Sequence, residues 1–445
     1  MTDPWTLNLN EWIAARPELA SLQVVLCDIN GCFRGKRIPV ADAGKAGRGQ
    51  MRMPLTVAAL DIWGRDVEGS PFLMAGDSDG LCRPTGRMPL MVDWLAHPAA
   101  LLPLWSFTDT GEPNPLDVRH ALAAVAARAE RMGLRAVVGT EVEFHFVDPE
   151  EARPAPPASP GTGRRVMAEG INAIADIDNF EQVLEDIFRA AEAAGISLAS
   201  AIAEASPGQF EIALNHHDDV LAAADDAALL KHLIRGTARK HGLAATFMAK
   251  PYPEASGNGF HVHISLVDEA GRNVFDDGTD QGSALLRHAV AGCLDAMAPM
   301  LLVFAPHLNS YRRITPEAHA PCRAEWDYEN RFVSLRVPGG PGVARRIEHR
   351  LAGADANPYL VIAAILAAAL DGIERKLEPP APGSDGPSLE TSWAEAIAAF
   401  RESDVPARAF PQPLVDIFAD CKAQELARFR AQMTRLEIDS YLEVV

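Results

Sequence analysis

Three separate stretches of the chain place chemically active side chains two residues apart, and this spacing constrains the fold more than any other feature. They are Glu141-Val142-Glu143, His261-Val262-His263 and Arg346-Ile347-Glu348-His349-Arg350. Alternate residues of a β-strand point to the same face of a sheet. The spacing therefore predicts strands that share one face carrying carboxylates, imidazoles and guanidiniums. Charged groups on such a face have to be solvated, paired or bound to something.

The surrounding sequence alternates between strand and helix patterns, which predicts an α+β fold. In the strand predicted at residues 134–147, Val142, Phe144 and Phe146 fall on one face and Glu141 and Glu143 on the other. That division is typical of an antiparallel sheet with one face buried. Helical patterns at residues 116–132, 179–194 and 218–240 predict the helices that cover the apolar face.

The first hundred residues have the pattern of a smaller α+β unit. Two apolar runs flank Asn30-Gly31, a strong signal for a β-hairpin. A Pro-rich connection at residues 112–115 precedes the first long helical pattern. We therefore predict two domains, residues 1–113 and residues 114–445.

Composition excludes several classes of partner. The 445 residues carry a formal net charge of −19, which argues against binding to nucleic acid or to an anionic membrane. The six cysteines include no CxxC spacing, so neither a zinc site nor a redox pair is indicated. The apolar run at residues 359–370 is far shorter than a bilayer span and predicts a buried helix. With no signal-peptide pattern at the N-terminus, we expect a cytoplasmic protein.

Carboxylates with histidine favour a divalent cation. Mg²⁺ prefers carboxylate oxygen, and Mn²⁺ also accepts imidazole. A single Glu is ordinarily a solvated surface residue. Several of these, however, lie within strands that are otherwise apolar. The candidate ligands are Glu141, Glu143, Glu204, Glu211, His261 and Glu348.

Eight arginines fall between residues 312 and 350 of this acidic chain. Solvated surface charge is one interpretation of such a cluster. Arg346 and Arg350 fit it least well, because they flank Glu348 on one strand face. Guanidiniums beside a carboxylate group are what a site for a nucleotide and its metal requires, since they neutralise phosphate charge.

At this point the motifs resemble those of the glutamine synthetase family, and they occur in the family's order. They are residues 139–144 (GTEVEF), 207–212 (PGQFEI), 257–265 (GNGFHVHIS), 309–313 (NSYRR), 329–331 (ENR) and 345–350 (RRIEHR). The resemblance implies an N-terminal β-grasp domain and a catalytic domain with a curved antiparallel sheet and flanking helices. It also implies a ring oligomer, usually of twelve subunits, with ATP as co-substrate and two or more Mg²⁺ or Mn²⁺ ions in each site.

The resemblance also implies a role for each matching residue. Glu143, Glu204 and Glu211 would hold one metal, and Glu141, His261 and Glu348 the second. Asn258, Gly259, Arg313 and Arg350 would bind glutamate. The ATP side would be formed by His263, Ser265, Arg331, Arg336 and Arg346, of which Arg331 is also expected to act in catalysis.

The chain departs from the family where the ammonium ion would bind. The family's Asp-Gly-Ser-Ser turn is replaced by residues 60–64 (LDIWG), in which Asp61 is the candidate for the amine-binding carboxylate. Asp77 and Asp79 lie on a second acidic loop that is an alternative. A Glu of the family's flap is replaced by His319. Loss of an anion weakens a cation site, whereas a neutral histidine can serve as a base for a bulkier amine.

We therefore predict an ATP-dependent ligase that joins the γ-carboxylate of glutamate to an amine through a γ-glutamyl phosphate. The expected acceptor is a polyamine, ethanolamine or an alkylamine. One alternative is a true glutamine synthetase that uses ammonia. Another is a catalytically silent relative with a structural or regulatory role, although such a protein has no need to keep six metal ligands.

Overall fold

The computed structural model describes residues 6–165, 167, 170–315 and 320–445. Within them the chain forms two sheets, with most of the helices packed around the second. The helices are α1 Asn10–Ala14, α2 Ala43–Gly47, α3 Pro71–Met74, α4 Val118–Arg131, α5 Ile174–Asn179, α6 Glu181–Ala193, α7 Val220–Lys240, α8 Ala284–Met297, α9 Leu301–Phe304, α10 Pro358–Arg375, α11 Trp393–Glu402, α12 Val405–Ala409, α13 Gln412–Arg430 and α14 Arg435–Tyr441.

The first sheet confirms the predicted hairpin. Its strands are β1 Ser21–Cys27, β2 Phe33–Pro39, β3 Met51–Pro54, β4 Asp79–Pro84, β5 Leu90–Val92 and β6 Ala99–Phe107. The spatial order is β2-β1-β6-β4-β3, with β5 also paired to β6. The pair β1–β6 is parallel, whereas β1–β2 is antiparallel across the Asn30-Gly31 turn. Gly31 has a φ of +73°, a conformation that glycine adopts without steric cost.

The second sheet carries the polar residues singled out in the sequence. Its strands are β7 Leu134–Val147, β8 Leu198–Ala203, β9 Gln209–Leu214, β10 Ala244–Thr246, β11 Phe260–Asp268, β12 Trp326–Tyr328, β13 Leu335–Val337 and β14 Ile347–His349. The order is β12-β13-β14-β11-β7-β9-β8, and β10 pairs with β7. All these pairs are antiparallel except β12–β13, which is a parallel edge pair where we expected a wholly antiparallel sheet.

One face of the second sheet is buried under helices, as the alternating pattern predicted. Val142, Phe144 and Phe146 of β7 are fully buried and belong to the main hydrophobic core. Helices α4 and α7 pack against β7. The predicted buried helix at residues 359–370 lies within α10, which packs on α4, α7 and α8. The opposite face of the sheet is left for polar side chains.

The connection between the two sheets contains the predicted domain boundary. β6 ends at Phe107 and α4 begins at Val118, where the Asp117 carboxylate accepts a hydrogen bond from the Arg119 amide at 2.9 Å. This cap starts the helix two residues later than predicted. Val25 of the first sheet shares a hydrophobic core with Val142 of the second, so the division into residues 1–113 and 114–445 stays a prediction.

In the part of the chain that the structure describes, none of the helices combines the length and the hydrophobicity needed to cross a lipid bilayer.

A buried ionic contact joins three of the long helices. Arg119 of α4 donates two hydrogen bonds, of 2.9 and 3.0 Å, to the two carboxylate oxygens of Asp225 in α7. Tyr359 of α10 donates a third to the same carboxylate at 2.6 Å. Asp225 is 3% exposed.

We predict that Asp225→Ala destabilises the protein by about 3–5 kcal/mol, because it leaves the Arg119 guanidinium buried without a partner. Urea unfolding followed by circular dichroism measures the loss. Asp404→Ala, which breaks an exposed ion pair with Arg408, is the control and should change stability little. Equal losses in the two variants would contradict a structural role for the buried contact.

Candidate active site

The pairing register of the second sheet sets the predicted polar residues beside one another. His261 of β11 lies directly opposite Glu141 of β7. Glu143 of β7 lies opposite Glu211 of β9, and His263 of β11 lies opposite Glu348 of β14. Opposed residues on one sheet face have Cβ atoms about 4.5–5.5 Å apart. The structure therefore brings these side chains together on one face.

Three overlapping groups among the described residues place carboxylate and imidazole atoms within 4.8 Å of one another: Glu143 with Glu204 and Glu211, Glu141 with Glu211 and His261, and Glu141 with His263 and Glu348. The first group is the first metal set expected from the resemblance. The second expected set is split between the other two groups. His263, which we expected only on the nucleotide side, thus lies within reach of a cation. His263 lies opposite Glu348 in the pairing of β11 with β14, and this pairing was not considered in the sequence analysis.

Glu141 is held as an anion by two imidazoles. His261 Nδ1 lies 3.0 Å from one of its carboxylate oxygens, and His263 Nε2 lies 2.9 Å from the other. Burial by itself acts to raise the pKa of Glu141. The hydrogen bonds from the two histidines outweigh burial and hold that pKa far below its ordinary value.

Glu204 and Glu211 lie in the opposite electrostatic situation. Burial, followed by repulsion from Glu143, raises the pKa of Glu204 to about 7. Burial and the charges of Glu141 and Glu143 also raise the pKa of Glu211. Crowded carboxylates of this kind need a neighbouring cation to offset their mutual repulsion. The donor set of carboxylate oxygens and imidazole fits Mg²⁺ or Mn²⁺, which would supply that charge.

Glu348 is neutralised by Arg336 on the neighbouring strand β13 and by Arg350, which directly follows its own strand β14. Arg336 Nη1 donates to one of its oxygens at 2.8 Å, and Arg350 donates to the other. Burial acts to raise the pKa of Glu348, but the Arg350 charge and the nearby histidines lower it overall. Arg346, which precedes Glu348 by two residues, donates through Nε to His263 Nδ1 at 3.1 Å.

Gly259 allows a close approach between the carboxylates and a buried arginine. Its backbone N–H donates to Glu143 at 2.7 Å. A Cβ at this position would lie 2.8 Å from Arg313 Nη2, 2.9 Å from His261 Nε2 and 3.1 Å from Glu143 Oε1. The absence of a side chain therefore lets the buried Arg313 guanidinium, His261 and Glu143 pack closely around this backbone position.

The side chain of Asn258 anchors the loop Gly257-Asn258-Gly259 to neighbouring residues. Its side-chain oxygen accepts hydrogen bonds from His145 Nδ1 at 2.8 Å and from Gln209 Nε2 at 3.3 Å. Its amide nitrogen donates to the Met248 carbonyl at 2.8 Å. Direct contact between this amide and glutamate stays a prediction and would require exchange of one of these bonds. Sequence reasoning missed the supporting role of His145 and Gln209, which face each other in the β7–β9 register.

A cavity of about 610 Å³ adjoins the candidate metal ligands. Glu141 and His263 form part of its wall, together with Ser265 and Arg346. Val137 and Val267 add apolar surface. A polar edge beside apolar walls is typical of a site for a nucleotide. Three residues expected on the ATP side, His263, Ser265 and Arg346, therefore share one cavity.

Other predicted residues lie elsewhere. Arg331 is exposed on the connection between β12 and β13. Asp61 lines a separate recess of about 550 Å³ beside α13. Asp77 accepts a hydrogen bond from the Thr56 hydroxyl at 2.8 Å, and Asp79 is the first residue of β4. His319 lies outside the described residues. The roles assigned to these residues stay predictions.

Comparison with known proteins tests the resemblance. The family described as glutamine synthetase, catalytic domain, matches residues 115–441. This chain belongs to the glutamine synthetase family. It is accordingly an ATP-dependent carbon–nitrogen ligase with the family's fold, as the motifs predicted.

Relatives and a solved structure match nearly the whole chain. Gamma-glutamylputrescine synthetase PuuA of Escherichia coli (strain K12) is 37% identical, with 99% of this chain and 95% of the relative covered. Glutamate–isopropylamine ligase of a Pseudomonas species is 31% identical, with 94% of each chain covered. The solved ADP complex of GmaS is 26% identical and superposes with a TM-score of 0.83 over 100% of both chains.

We predict that Mg²⁺ or Mn²⁺ raises the melting temperature of this ligase, because the cation relieves repulsion among the buried carboxylates. A cation at one hundred times its Kd stabilises the folded protein by about 2.7 kcal/mol. Glu211→Gln should remove most of this response, as measured by differential scanning fluorimetry. Glu402→Gln, at the exposed end of α11, is the control and should respond like the unmodified protein. A full response in Glu211→Gln would refute the assignment of this residue.

Proposed function

We propose that this ligase joins the γ-carboxylate of glutamate to an organic amine, with a polyamine, ethanolamine or an alkylamine as the acceptor. The observation that carries the proposal is the convergence of seven carboxylate and imidazole side chains on one sheet face, beside a nucleotide-sized cavity and close to the buried Arg313 guanidinium. The named acceptors of two relatives, putrescine and isopropylamine, support an amine larger than ammonia.

The geometry supports a division of the ligands between two cations. Glu143, Glu204 and Glu211 would hold one ion. We assign Glu141, His261 and Glu348 to the second ion, as the resemblance implies, and the structure adds His263, which it groups with Glu141 and Glu348. When bound, the ions supply Lewis acidity that neutralises the phosphate oxygens of ATP.

Arginines on the same face can pair with the negative charges of the ATP phosphates and of glutamate. Arg346 lines the cavity proposed for ATP, and Arg336 lies beside Glu348 at the metal ligands. We assign both arginines to the phosphates of ATP. We assign Arg331, on the exposed connection between β12 and β13, to the same phosphates. Arg313 and Arg350, with Asn258 and Gly259, are assigned to glutamate. The Arg313 guanidinium, which lies close to Gly259, carries the positive charge that pairs with an amino-acid carboxylate.

The proposed reaction has two balanced steps. An oxygen of the γ-carboxylate attacks the terminal phosphorus of ATP, so that ADP leaves and γ-glutamyl phosphate forms. The neutral amine nitrogen then attacks the γ-carbonyl carbon, and phosphate leaves with the bonding electrons. The nitrogen gives up a proton, for which Asp61 and His319 are the assigned acceptors. Activation is needed because phosphate is a far better leaving group than oxide or hydroxide.

A true glutamine synthetase remains the second candidate, and His319 bears on the choice. Where the family's flap carries a carboxylate, this chain has an imidazole. A site that selects small ammonium ions by negative charge is weakened by that exchange. The silent-relative alternative has less support, because the candidate ligands lie in register on the sheet face.

The proposal includes a ring assembly, with twelve subunits as the family's usual number. Asp61 lines a recess of its own, distinct from the cavity bordered by Glu141 and His263. Assembly would allow Asp61 of one subunit to serve the carboxylate face of the next.

The acceptor is tested with a panel of ammonium, methylamine, isopropylamine, ethanolamine and putrescine. We expect kcat/KM for at least one organic amine to exceed that for ammonium by tenfold or more. Phosphate release with ATP, Mg²⁺ and glutamate gives the rate, and mass spectrometry identifies the γ-glutamyl product. Fastest turnover with ammonium would favour the glutamine synthetase candidate, and no turnover with any acceptor would favour the silent relative.

His319→Glu tests the origin of the preference. Restoring a carboxylate should favour the small cation, so the ratio of kcat/KM for ammonium to that for the best organic amine should rise about tenfold. His319→Gln, which adds no charge, is the matched control and should not raise this ratio. An unchanged acceptor profile in His319→Glu would remove this residue from the acceptor site.

A further inference from the structure

The loop that carries Asp61 is tied to the C-terminal helix α13 across a very long sequence separation. Gln424 Nε2 donates to Asp61 Oδ2 at 3.1 Å, a contact between residues 363 positions apart. The same amide nitrogen donates to the Asp66 carbonyl at 3.1 Å, and Gln424 Oε1 accepts from the Glu68 N–H at 2.9 Å. One side chain thus contacts the loop at three points.

The next residue of the helix anchors the loop a second time. The buried carboxylate of Glu425 accepts a hydrogen bond from the Ile62 N–H at 2.8 Å. It also pairs at 3.0 Å with Lys422, a fully buried lysine that reaches Asn30 in the hairpin turn of the first sheet. Glu425 and Lys422 thus fix the base of the loop, whereas Gln424 reaches the functional carboxylate itself.

The hydrogen bonds of Asp61 leave one position open. Oδ1 accepts from the Trp63 N–H at 3.0 Å and the Arg65 N–H at 2.8 Å, which fills both of its lone pairs. Oδ2 accepts from Gln424 and keeps one lone pair. Asp61 and Gln424 both line the recess of about 550 Å³. Asp61 is 1% exposed, so only an ammonium group that enters the recess would reach the remaining lone pair.

Resting on the proposed function, we infer that Gln424 is a positioning residue of the acceptor site, which orients the Asp61 carboxylate so that its free lone pair meets the amine. Gln424 acts through Asp61 and does not react itself. Loss of its donor frees Oδ2 to rotate or to be hydrated, and weakens acceptor binding. Glutamate and ATP bind at the sheet face and do not depend on this contact.

The test compares two substitutions of Gln424 with a control on the same helix. Gln424→Met keeps the length of the side chain and removes its hydrogen bonds to the loop. Gln424→Glu keeps the acceptor for Glu68 but loses the donor to Asp61. Gln412→Met is the control, because Gln412 is exposed and its side chain donates to Asp416 of the same helix. KM and kcat are measured for the best acceptor, for glutamate and for ATP, with melting temperatures for all variants.

We expect both Gln424 variants to raise the acceptor KM about tenfold, the size of effect typical for a hydrogen bond to a charged group. The KM values for glutamate and ATP should stay within about twofold, and Gln412→Met should match the unmodified enzyme. In an Asp61→Asn background, Gln424→Met should add little, because the two changes remove the same interaction.

Two results would overturn the inference while the proposed function stands. One is an unchanged acceptor KM in both Gln424 variants of an enzyme that ligates amines. The other is an equal rise in all three KM values, which would assign Gln424 a general structural role. An unmodified protein that turns over no acceptor would instead remove the proposed function, and this inference with it.

Discussion

Crowding of negative charge on one sheet face is the constraint on which the rest of the site depends. Glu143, Glu204 and Glu211 bring oxygen atoms within 4.8 Å of one another in a partly buried position. Such an arrangement is costly unless cations or protons offset it. Two imidazoles donate hydrogen bonds to Glu141, and two arginines donate hydrogen bonds to Glu348. Glu143, Glu204 and Glu211 are left short of positive charge, which is the condition for binding a divalent ion.

The fold separates the tasks of the proposed reaction in space. The antiparallel strands β7, β9, β11 and β14 hold the candidate metal ligands in fixed register, apart from Glu204, which follows β8. The proposed amine side is built differently, from a loop of the first sheet that α13 holds through Gln424 and Glu425. In this proposal, rigid strands position the groups assigned to phosphate, whereas the acceptor side can vary by changes in a loop. This division fits a family whose members differ in the amine they use.

The sequence predicted those features that depend on local pattern. Two-residue spacing placed Glu141 and Glu143 on one face of β7, and the motifs indicated the family that comparison confirmed. Long-range contacts were beyond such reasoning. Arg336 contacts Glu348 because β13 pairs with β14, a register that no local pattern specifies. The contact of Gln424 with Asp61 joins the two ends of the chain and likewise required the fold.

The central claim is that this sheet face binds two divalent cations beside a nucleotide. The most direct measurement is a titration of the protein with Mn²⁺ in the presence of ADP, in which electron paramagnetic resonance reports the free ion. The account predicts two bound ions per chain, falling to one when Glu143 is replaced by Gln. Binding of no ion, or full binding that persists in Glu143→Gln, would contradict it.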